Sequence, residues 1–389
     1  MKSFQDELQQ IESSGLLRQL RSLSASTEGH SVVNGARMLN LSSNDYLGLA
    51  VDDALRESFV QSQLPLIGDG LFSASSSRLL SGNHAYYEQV EAQLADMYGR
   101  SALFFNSGYH ANLGILPALV GKDDLILSDK LVHASLIDGI RLSGATHVRY
   151  RHCDYGQLEE FLKSRRHLYK RVVVVTESVF SMDGDVADLH TLVALKNRYG
   201  ALLYVDEAHA VGTRGNTGLG IAEEVGELSN IDLLVGTMGK ALASVGAFVV
   251  CDEVIKKLLI NKCRTLIFTT ALPPVNVAWS LWVLQHIGAM QHRRKQLTLL
   301  SEQASTLLSQ GGFDAMSHSN IIPVIIGDNH QAMAMSNQLQ EGGFFVLPVR
   351  PPTVPAGTAR LRLSLSSDMA WEKIAEMGQL LIQLKHQKA

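Results

Sequence analysis

The sequence predicts an α/β protein, with a mostly parallel central sheet flanked by helices and a smaller α+β domain at its C-terminal end. Short runs that are apolar on both faces alternate with helical patterns through the middle of the chain, as in a buried parallel sheet. Beyond about residue 275 the order changes to one long helical stretch, then strands, then a last helix. Hydrophobic residues make up 46% and charged residues 19%, which is enough apolar side chain for a sizeable core and argues against disorder.

Each element has its own signal. Residues 3–22 have an amphipathic helical pattern. Asn83 can cap a helix in which Val90, Leu94 and Met97 share a face, with Gly99 ending it. Strands follow at 102–105, 125–127, 146–150, 171–176, 201–205, 231–235 and 247–251. Helices fall between them at 112–119, 134–142, 158–167 and 189–199, the last closed by Gly200. A long helical stretch spans about 275–310, strands lie near 321–326, 344–348 and 360–365, and a final helix starts near 369. This gives an N-terminal helix and segment over 1–44, a large domain over 45–280 and a small C-terminal domain over 281–389.

Several function classes are excluded early. The chain carries 34 Lys+Arg against 38 Asp+Glu, a net charge of −4, whereas a nucleic-acid binder normally shows a basic excess. Three scattered cysteines, Cys153, Cys251 and Cys263, make neither a disulfide framework nor a zinc cluster. The N-terminus MKSFQDELQQ has acidic residues where a signal peptide needs an apolar stretch, and no run reaches the ~18 apolar residues of a membrane span. The expectation is a soluble cytoplasmic protein with no nucleic-acid or membrane partner.

In an open parallel sheet, ligands bind beyond the carboxyl ends of the strands. Asn106-Ser-Gly-Tyr109 follows the strand at 102–105 and opens a helix. Ser128-Asp follows the next strand, with His133 close behind. Glu177 to Asp185, with Ser181 inside it, follows the strand at 171–176. Asp206-Glu-Ala-His209 and Gly236-Thr-Met-Gly-Lys240 follow two more. This set suits pyridoxal 5'-phosphate (PLP), which needs a lysine amine, a carboxylate to keep its pyridine nitrogen protonated, and a phosphate cradle. Lys240 supplies the amine and Asp206, 34 residues earlier, the carboxylate. Ser107-Gly108-Tyr109 offers the amides and positive dipole end of a helix, and His133 is a candidate for the plane over the ring.

Rival chemistries fail. Asp206-Glu-Ala-His209 spells the DEAH of some helicases, but the matching G-x-x-x-x-G-K-[ST] loop would need glycine at Leu234 and a hydroxyl at Ala241. Asp183-Gly-Asp185 does not fit an EF-hand, and no H-E-x-x-H helix or G-x-S-x-G elbow occurs. The fourteen histidines are dispersed, so no metal site is expected.

At these residues the sequence resembles the fold type I PLP-dependent transferases and, within them, the α-oxoamine synthases. The carrying stretches are Leu41-Ser-Ser-Asn-Asp-Tyr-Leu-Gly48, Ser107-Gly-Tyr-His-Ala-Asn112, His133-Ala-Ser-Leu136, Thr176 to Gly184, Val205 to His209 and Thr237 to Lys240. Arg350 to Arg362 is the stretch closest to the biotin-synthesis branch. The resemblance covers almost the whole chain, from about Gly15 to the last helix. It implies that Lys240 binds the cofactor aldehyde and then acts as base, that His133 stacks on the ring, that Asp206 pairs with the pyridinium and that His209 meets the ring hydroxyl. It also implies cofactor contacts from Ser107, Gly108, Tyr109, Glu177, Ser181 and Thr237, and from Thr269 and Thr270 across a homodimer interface. Arg350 would take an amino-acid carboxylate with Asn44, His133 and Thr353 close by. Arg18 or Arg21 would face the acyl substrate.

The implied reaction joins L-alanine to a pimeloyl thioester with loss of CO₂. A sister reaction, glycine with a short acyl-CoA, is the alternative. Arg165, Arg166, Lys170 and Arg171 form a basic cluster that would suit an acyl carrier protein. Many relatives carry a glycine-rich loop where this chain reads Gly68 to Gly82 with Ser or Ala in place of glycines, so no role is assigned there.

Overall fold

The computed structural model describes residues 3–68, 72–315 and 317–387. The chain divides into two compact units, one made of Asp53–Phe180 and Val186–Arg294, the other of Met1–Asp52, Ser181–Asp185 and Lys295–Ala389.

In chain order the strands begin with β1 (Leu23–Ala25), β2 (His30–Val33) and β3 (Ala36–Asn40). The central series is β4 (Ser101–Phe105), β5 (Leu125–Asp129), β6 (Thr146–Tyr150), β7 (Val172–Glu177), β8 (Leu202–Asp206), β9 (Leu233–Thr237) and β10 (Ala247–Cys251). The last are β11 (Ile321–Gly327), β12 (Phe344–Phe345), β13 (Pro348–Val349) and β14 (Ala359–Ser364).

The larger unit holds a seven-stranded sheet in the order β4-β10-β9-β8-β7-β5-β6. Only β10 runs antiparallel to its neighbours. Alternate residues such as Leu103, Phe105, Val173, Val175, Leu233 and Val235 pack into one core with Ile115, Leu136 and Ile140 from the helices. The intervening Phe104, Val174, Leu203, Val205 and Leu234 are also buried, so both faces are covered, as the continuous apolar runs predicted. The register sets Glu177 beside Asp206, Asp206 beside Val235, and Thr237 beside Ala247, which in turn faces Phe105. The carboxyl ends of β4, β7, β8 and β9 therefore lie level.

The smaller unit holds two sheets. One has the order β1-β2-β3-β12, the other β11-β14-β13. In the first, β12 pairs parallel with β3, joining segments some 300 residues apart through Phe344↔Leu39.

The structure corrects three sequence expectations. The N-terminal helix covers only Phe4–Ser13, because Gly15 takes a left-handed φ of 65° and closes it. Its start is a capping box between Ser3 and Asp6. The helix after Asn83 spans Ala85–Tyr98 with His84 at its N-cap, because Asn83 Oδ1 instead accepts from Arg78 Nε. The expected strand at 344–348 is two short pieces, β12 and β13. The stops at Gly99 (φ 68°) and Gly200 (φ 60°) fall where the sequence put them.

Candidate active site

Ser107 caps the helix Gly108–Leu119 directly after β4, its hydroxyl accepting from the His110 amide at 3.2 Å. The first-turn amides of Gly108 and Tyr109 have no carbonyl partner inside the helix, which makes this end a natural anion seat. A Cβ on Gly108 would stand 3.7 Å from Thr237 Oγ1, in the space between the helix start and the end of β9. Tyr109 is half-exposed and its hydroxyl donates to Asp138, which raises the phenol pKa.

One turn into the same helix, Asn112 ties the site together. Its amide nitrogen donates to Asp206 Oδ2 at 2.7 Å and to Ser135 Oγ at 3.0 Å, and its oxygen accepts from Tyr204 at 2.6 Å. The other oxygen of Asp206 accepts the Ala208 amide at 2.9 Å. Asp206 is only 5% exposed, and these bonds hold its carboxylate at the end of β8.

His133 is the N-cap of the helix Ala134–Ser143. Its Nδ1 accepts from the Ser135 amide at 3.3 Å and lies 2.7 Å from Ser135 Oγ. With Nδ1 accepting, the ring proton is assigned to Nε2. Burial lowers the His133 pKa; the field of Asp206 opposes this and that of Lys240 adds to it. The imidazole is thus neutral at pH 7 and stands within electrostatic reach of both groups.

Lys240 Nζ lies 2.7 Å from His209 Nε2. The turn that carries the lysine is held by Met238 N to Gly246 O, Ser244 N to Met238 O and Ala243 N to Lys240 O, each 2.9 Å. Thr237 Oγ1 donates to Gly246 O at 3.1 Å and accepts the Gly239 amide at 3.3 Å. Asn106 reaches Thr269 Oγ1 at 3.3 Å and the Thr270 carbonyl at 2.7 Å, which brings both threonines to the end of β4. Glu177 is buried at the end of β7, next to Asp206 in register.

The remaining expected residues belong to the smaller unit. Arg350 is 9% exposed and donates to the Gly15 carbonyl, to Leu17 O at 3.1 Å and to Met333 Sδ at 3.0 Å. Arg18 donates to Pro351 O at 3.2 Å and to Thr353 Oγ1 at 3.4 Å. Arg21 meets Gln340 Oε1 at 2.6 Å. Arg18, Arg21 and Arg350 line one cavity of about 410 Å³ with Glu12, Met333 and Leu347. Asn44 accepts from Tyr46 at 3.0 Å and from Arg362 at 3.2 Å. Ser181 O accepts from Arg362 Nε at 2.5 Å. Of the glycine-poor stretch Gly68–Gly82, residues 69–71 lie outside the described residues.

Asn112, Ser135, Tyr204 and Arg362 were given no role from sequence. Asn112 had one available signal, a polar residue just before the apolar run Leu113–Leu119, four positions after the helix-opening glycine. The other three needed the fold.

The chain matches the model of aminotransferase class I and II over residues 36–377. Serine palmitoyltransferase of S. paucimobilis, solved with PLP and myriocin, superposes with a TM-score of 0.90 at 30% identity over 98% of this chain and 96% of that one. Fold and site together define a PLP-dependent transferase of fold type I.

An 8-amino-7-oxononanoate synthase from Chlorobaculum parvum is 51% identical over 357 residues, 91% of each chain. A putative one from Glaesserella parasuis is 52% identical over 379 residues, 96% of this chain and 98% of the relative. The solved 8-amino-7-oxononanoate synthase of Francisella tularensis has a TM-score of 0.76 at 29% identity over 90% of this chain and 99% of that one. The chain belongs to the 8-amino-7-oxononanoate synthase family, whose members are PLP-dependent acyltransferases of biotin biosynthesis. No helix among the described residues is long and apolar enough to cross a membrane.

Proposed function

We propose that the protein condenses L-alanine with a pimeloyl thioester, releasing 8-amino-7-oxononanoate, CO₂ and the free carrier, as a cytoplasmic homodimer. The observation that supports it most is the buried Asp206 carboxylate, held by Asn112, with His133 in the field of both Asp206 and Lys240. That is the donor set PLP requires: an amine, a carboxylate and a planar neutral imidazole, beside a helix N-terminus for phosphate.

Bound PLP supplies an electron sink that stabilises negative charge at the Cα of an attached amino acid. Asp206 keeps a proton on the pyridine nitrogen. His209 receives a hydrogen bond from the Lys240 amine and orients it. Lys240 takes the Cα proton of alanine and returns a proton to the product. His133 packs its neutral ring against the cofactor and excludes water. Ser107, Gly108, Tyr109, Ser181 and Thr237 hold the cofactor, with Glu177 beside them and Thr269 and Thr270 serving the partner subunit's site. Arg350 accepts the alanine carboxylate with Asn44 and Thr353 nearby. The Arg18 and Arg21 side of the cavity receives the acyl group, whose terminal carboxylate suits the arginines lining it.

The thioester carrier is CoA or an acyl carrier protein. Within the basic cluster, Arg166 donates to the carbonyls of Tyr199, Gly200 and Tyr169, and Arg171 to that of Leu119. Two of the four cations thus brace backbone, so the carrier-protein test is charge reversal at Arg165 and Lys170 with KM for the carrier-borne substrate as readout. The deciding experiment for the reaction supplies alanine or glycine with pimeloyl or acetyl thioesters and weighs the product. Turnover with glycine and acetyl-CoA alone would replace this reading with the sister synthase.

A further inference from the structure

Asp129, His152 and Cys153 form a cluster that the reaction does not use. Asp129 ends β5 and is 1% exposed; His152 and Cys153 follow β6. Asp129 Oδ1 accepts from His152 Nδ1 at 3.0 Å and from the Leu131 amide at 2.8 Å, and Oδ2 accepts the Cys153 amide at 2.9 Å. Cys153 Sγ lies 3.8 Å from Nδ1 and 3.7 Å from Nε2 of His152. Among the described residues this is the one group of three such side chains whose ligand atoms all lie within 4.8 Å of one another.

The carboxylate and imidazole are spaced close to a pair of metal ligands, with the thiol one side-chain rotation away. Tetrahedral zinc, with bonds of about 2.0–2.3 Å, separates a nitrogen and an oxygen ligand by about 3.4 Å, and a nitrogen and a sulfur ligand by about 3.6 Å. The nitrogen–oxygen distance found here is 3.0 Å; the sulfur, at 3.8 Å from Nδ1 and 3.7 Å from Nε2, faces the ring and swings toward Nδ1 to close the site. The two backbone amides on Asp129 fix the carboxylate, as outer hydrogen bonds do for metal ligands. The Phe180 ring meets the imidazole edge-on at 4.4 Å and sets its plane.

We propose that Asp129, His152 and Cys153 bind one thiophilic divalent cation, zinc in the first instance, with water in the fourth position. A carboxylate, an imidazole and a thiolate suit zinc and not the oxygen-seeking magnesium or calcium. On binding, the thiol proton leaves to solvent, the imidazole proton moves from Nδ1 to Nε2 so that the ring stays neutral, and no electron moves. The carboxylate and thiolate charges then balance the dication. The ion fastens the end of β5 to the loop after β6, four residues before His133 in the chain.

The test uses the PLP-loaded enzyme, without an affinity tag, dialysed against zinc and then stripped of loosely held metal by gel filtration. The expected result is one zinc per chain and a melting temperature that rises with zinc. Cys153→Asn is the main variant, since asparagine tolerates the φ of 52° at that position. It should keep its cofactor absorbance and its zinc-free melting temperature. It should lose the bound zinc, with affinity falling by more than the roughly 100-fold that loss of an outer-shell partner alone can cost. His152→Gln gives the same readout independently if the first variant misfolds. Wild-type protein that retains no zinc, or a folded variant that retains as much as wild type, overturns the proposal.

Discussion

Asn112 Nδ2 sits 2.7 Å from Asp206 Oδ2, a contact across 94 residues of sequence that links the first helix of the sheet to the end of β8. The same nitrogen reaches Ser135, which in turn lies 2.7 Å from His133. One amide thus sets both the carboxylate and, through one hydroxyl, the imidazole. Asn112→Leu should leave Asp206 short of a charge-assisted hydrogen bond, worth about 1.5–3 kcal/mol. The expected outcome is PLP binding weakened by roughly 10–100-fold, read by titrating cofactor absorbance in the folded variant. Unchanged PLP affinity would show that Asp206 holds its place without Asn112.

Lys240→Ala removes the amine beside His209. A positioned acid–base group contributes typically 10²–10⁴ in rate, so turnover should fall by at least about that factor. The helix-end amides at Gly108 and Tyr109 are untouched, so the variant should still bind PLP, now noncovalently. Product formation with alanine and pimeloyl thioester, followed by mass, checks it. Wild-type turnover would remove Lys240 from the chemistry.

The residues that follow strand ends were legible in sequence, because a parallel sheet delivers them to one side whatever the details of packing. Asp206, Lys240, His133 and Ser107 are the candidates of this kind, and each follows a strand end of the sheet in the structure. Asn112 and Ser135 were not, since each lies inside a helix and its role depends on which helix face meets which strand end. Strands β1, β2 and β3, and the pairing of β3 with β12, are not legible for a related reason. These strands are three to five residues, or two in β12, and the β3–β12 pair joins distant segments. The N-terminal helix was overextended because amphipathic spacing continues past Ser13, while the stop signal is a single glycine at residue 15.

Glu207 gives a pH prediction with a definite sign. Its carboxyl is wholly buried, accepts from Ser178 and from the amides of Ile221 and Ala222, and is pushed up to about 7, chiefly by burial. A folded-state pKa above the unfolded value of about 4.3 means the native state binds more protons in between. Stability from this group is therefore full below about pH 4.3 and declines as pH rises through about 7. The slope approaches ~1.4 kcal/mol per pH unit inside that window. Glu207→Gln cannot titrate, so the melting-temperature gap between wild type and variant should move in the variant's favour from pH 5 to pH 8. A gap constant across that range would place the Glu207 pKa outside it.

The arginines of the smaller unit separate by substrate. Arg350→Ala should raise KM for alanine by about 10–100-fold, the 1.5–3 kcal/mol of a lost hydrogen bond to a charged group, with KM for the thioester little changed. Arg18→Ala and Arg21→Ala should do the reverse, and whichever raises the thioester KM more is the acyl-facing residue. Because Arg18 also donates to Thr353 and Pro351, its variant needs a melting curve beside the kinetics. Equal effects of Arg350→Ala on both substrates would sink the carboxylate assignment.

Arg78 is the stability test of the stretch whose glycines were replaced. Its guanidinium donates to Glu91 Oε1 at 2.7 Å, to Phe104 O at 2.9 Å and to Asn83 Oδ1 at 2.9 Å, and it lies 4.1 Å over the Tyr87 ring. Glu91 is 8% exposed and takes Lys256 on its other oxygen at 3.0 Å. Removing one partner of a buried ion pair strands the other, at a cost of about 3–5 kcal/mol. Lys256 stays in place and offsets part of this, so Arg78→Ala should destabilise by about 2–4 kcal/mol. Lys256→Ala should cost less, because that lysine is the more exposed of the two cations. In the double variant the losses should exceed their sum, since Glu91 then keeps only the Phe104 amide at 2.9 Å. Chemical denaturation of the four proteins measures this directly. Strict additivity would mean that Glu91 finds water or another donor once the cations are gone.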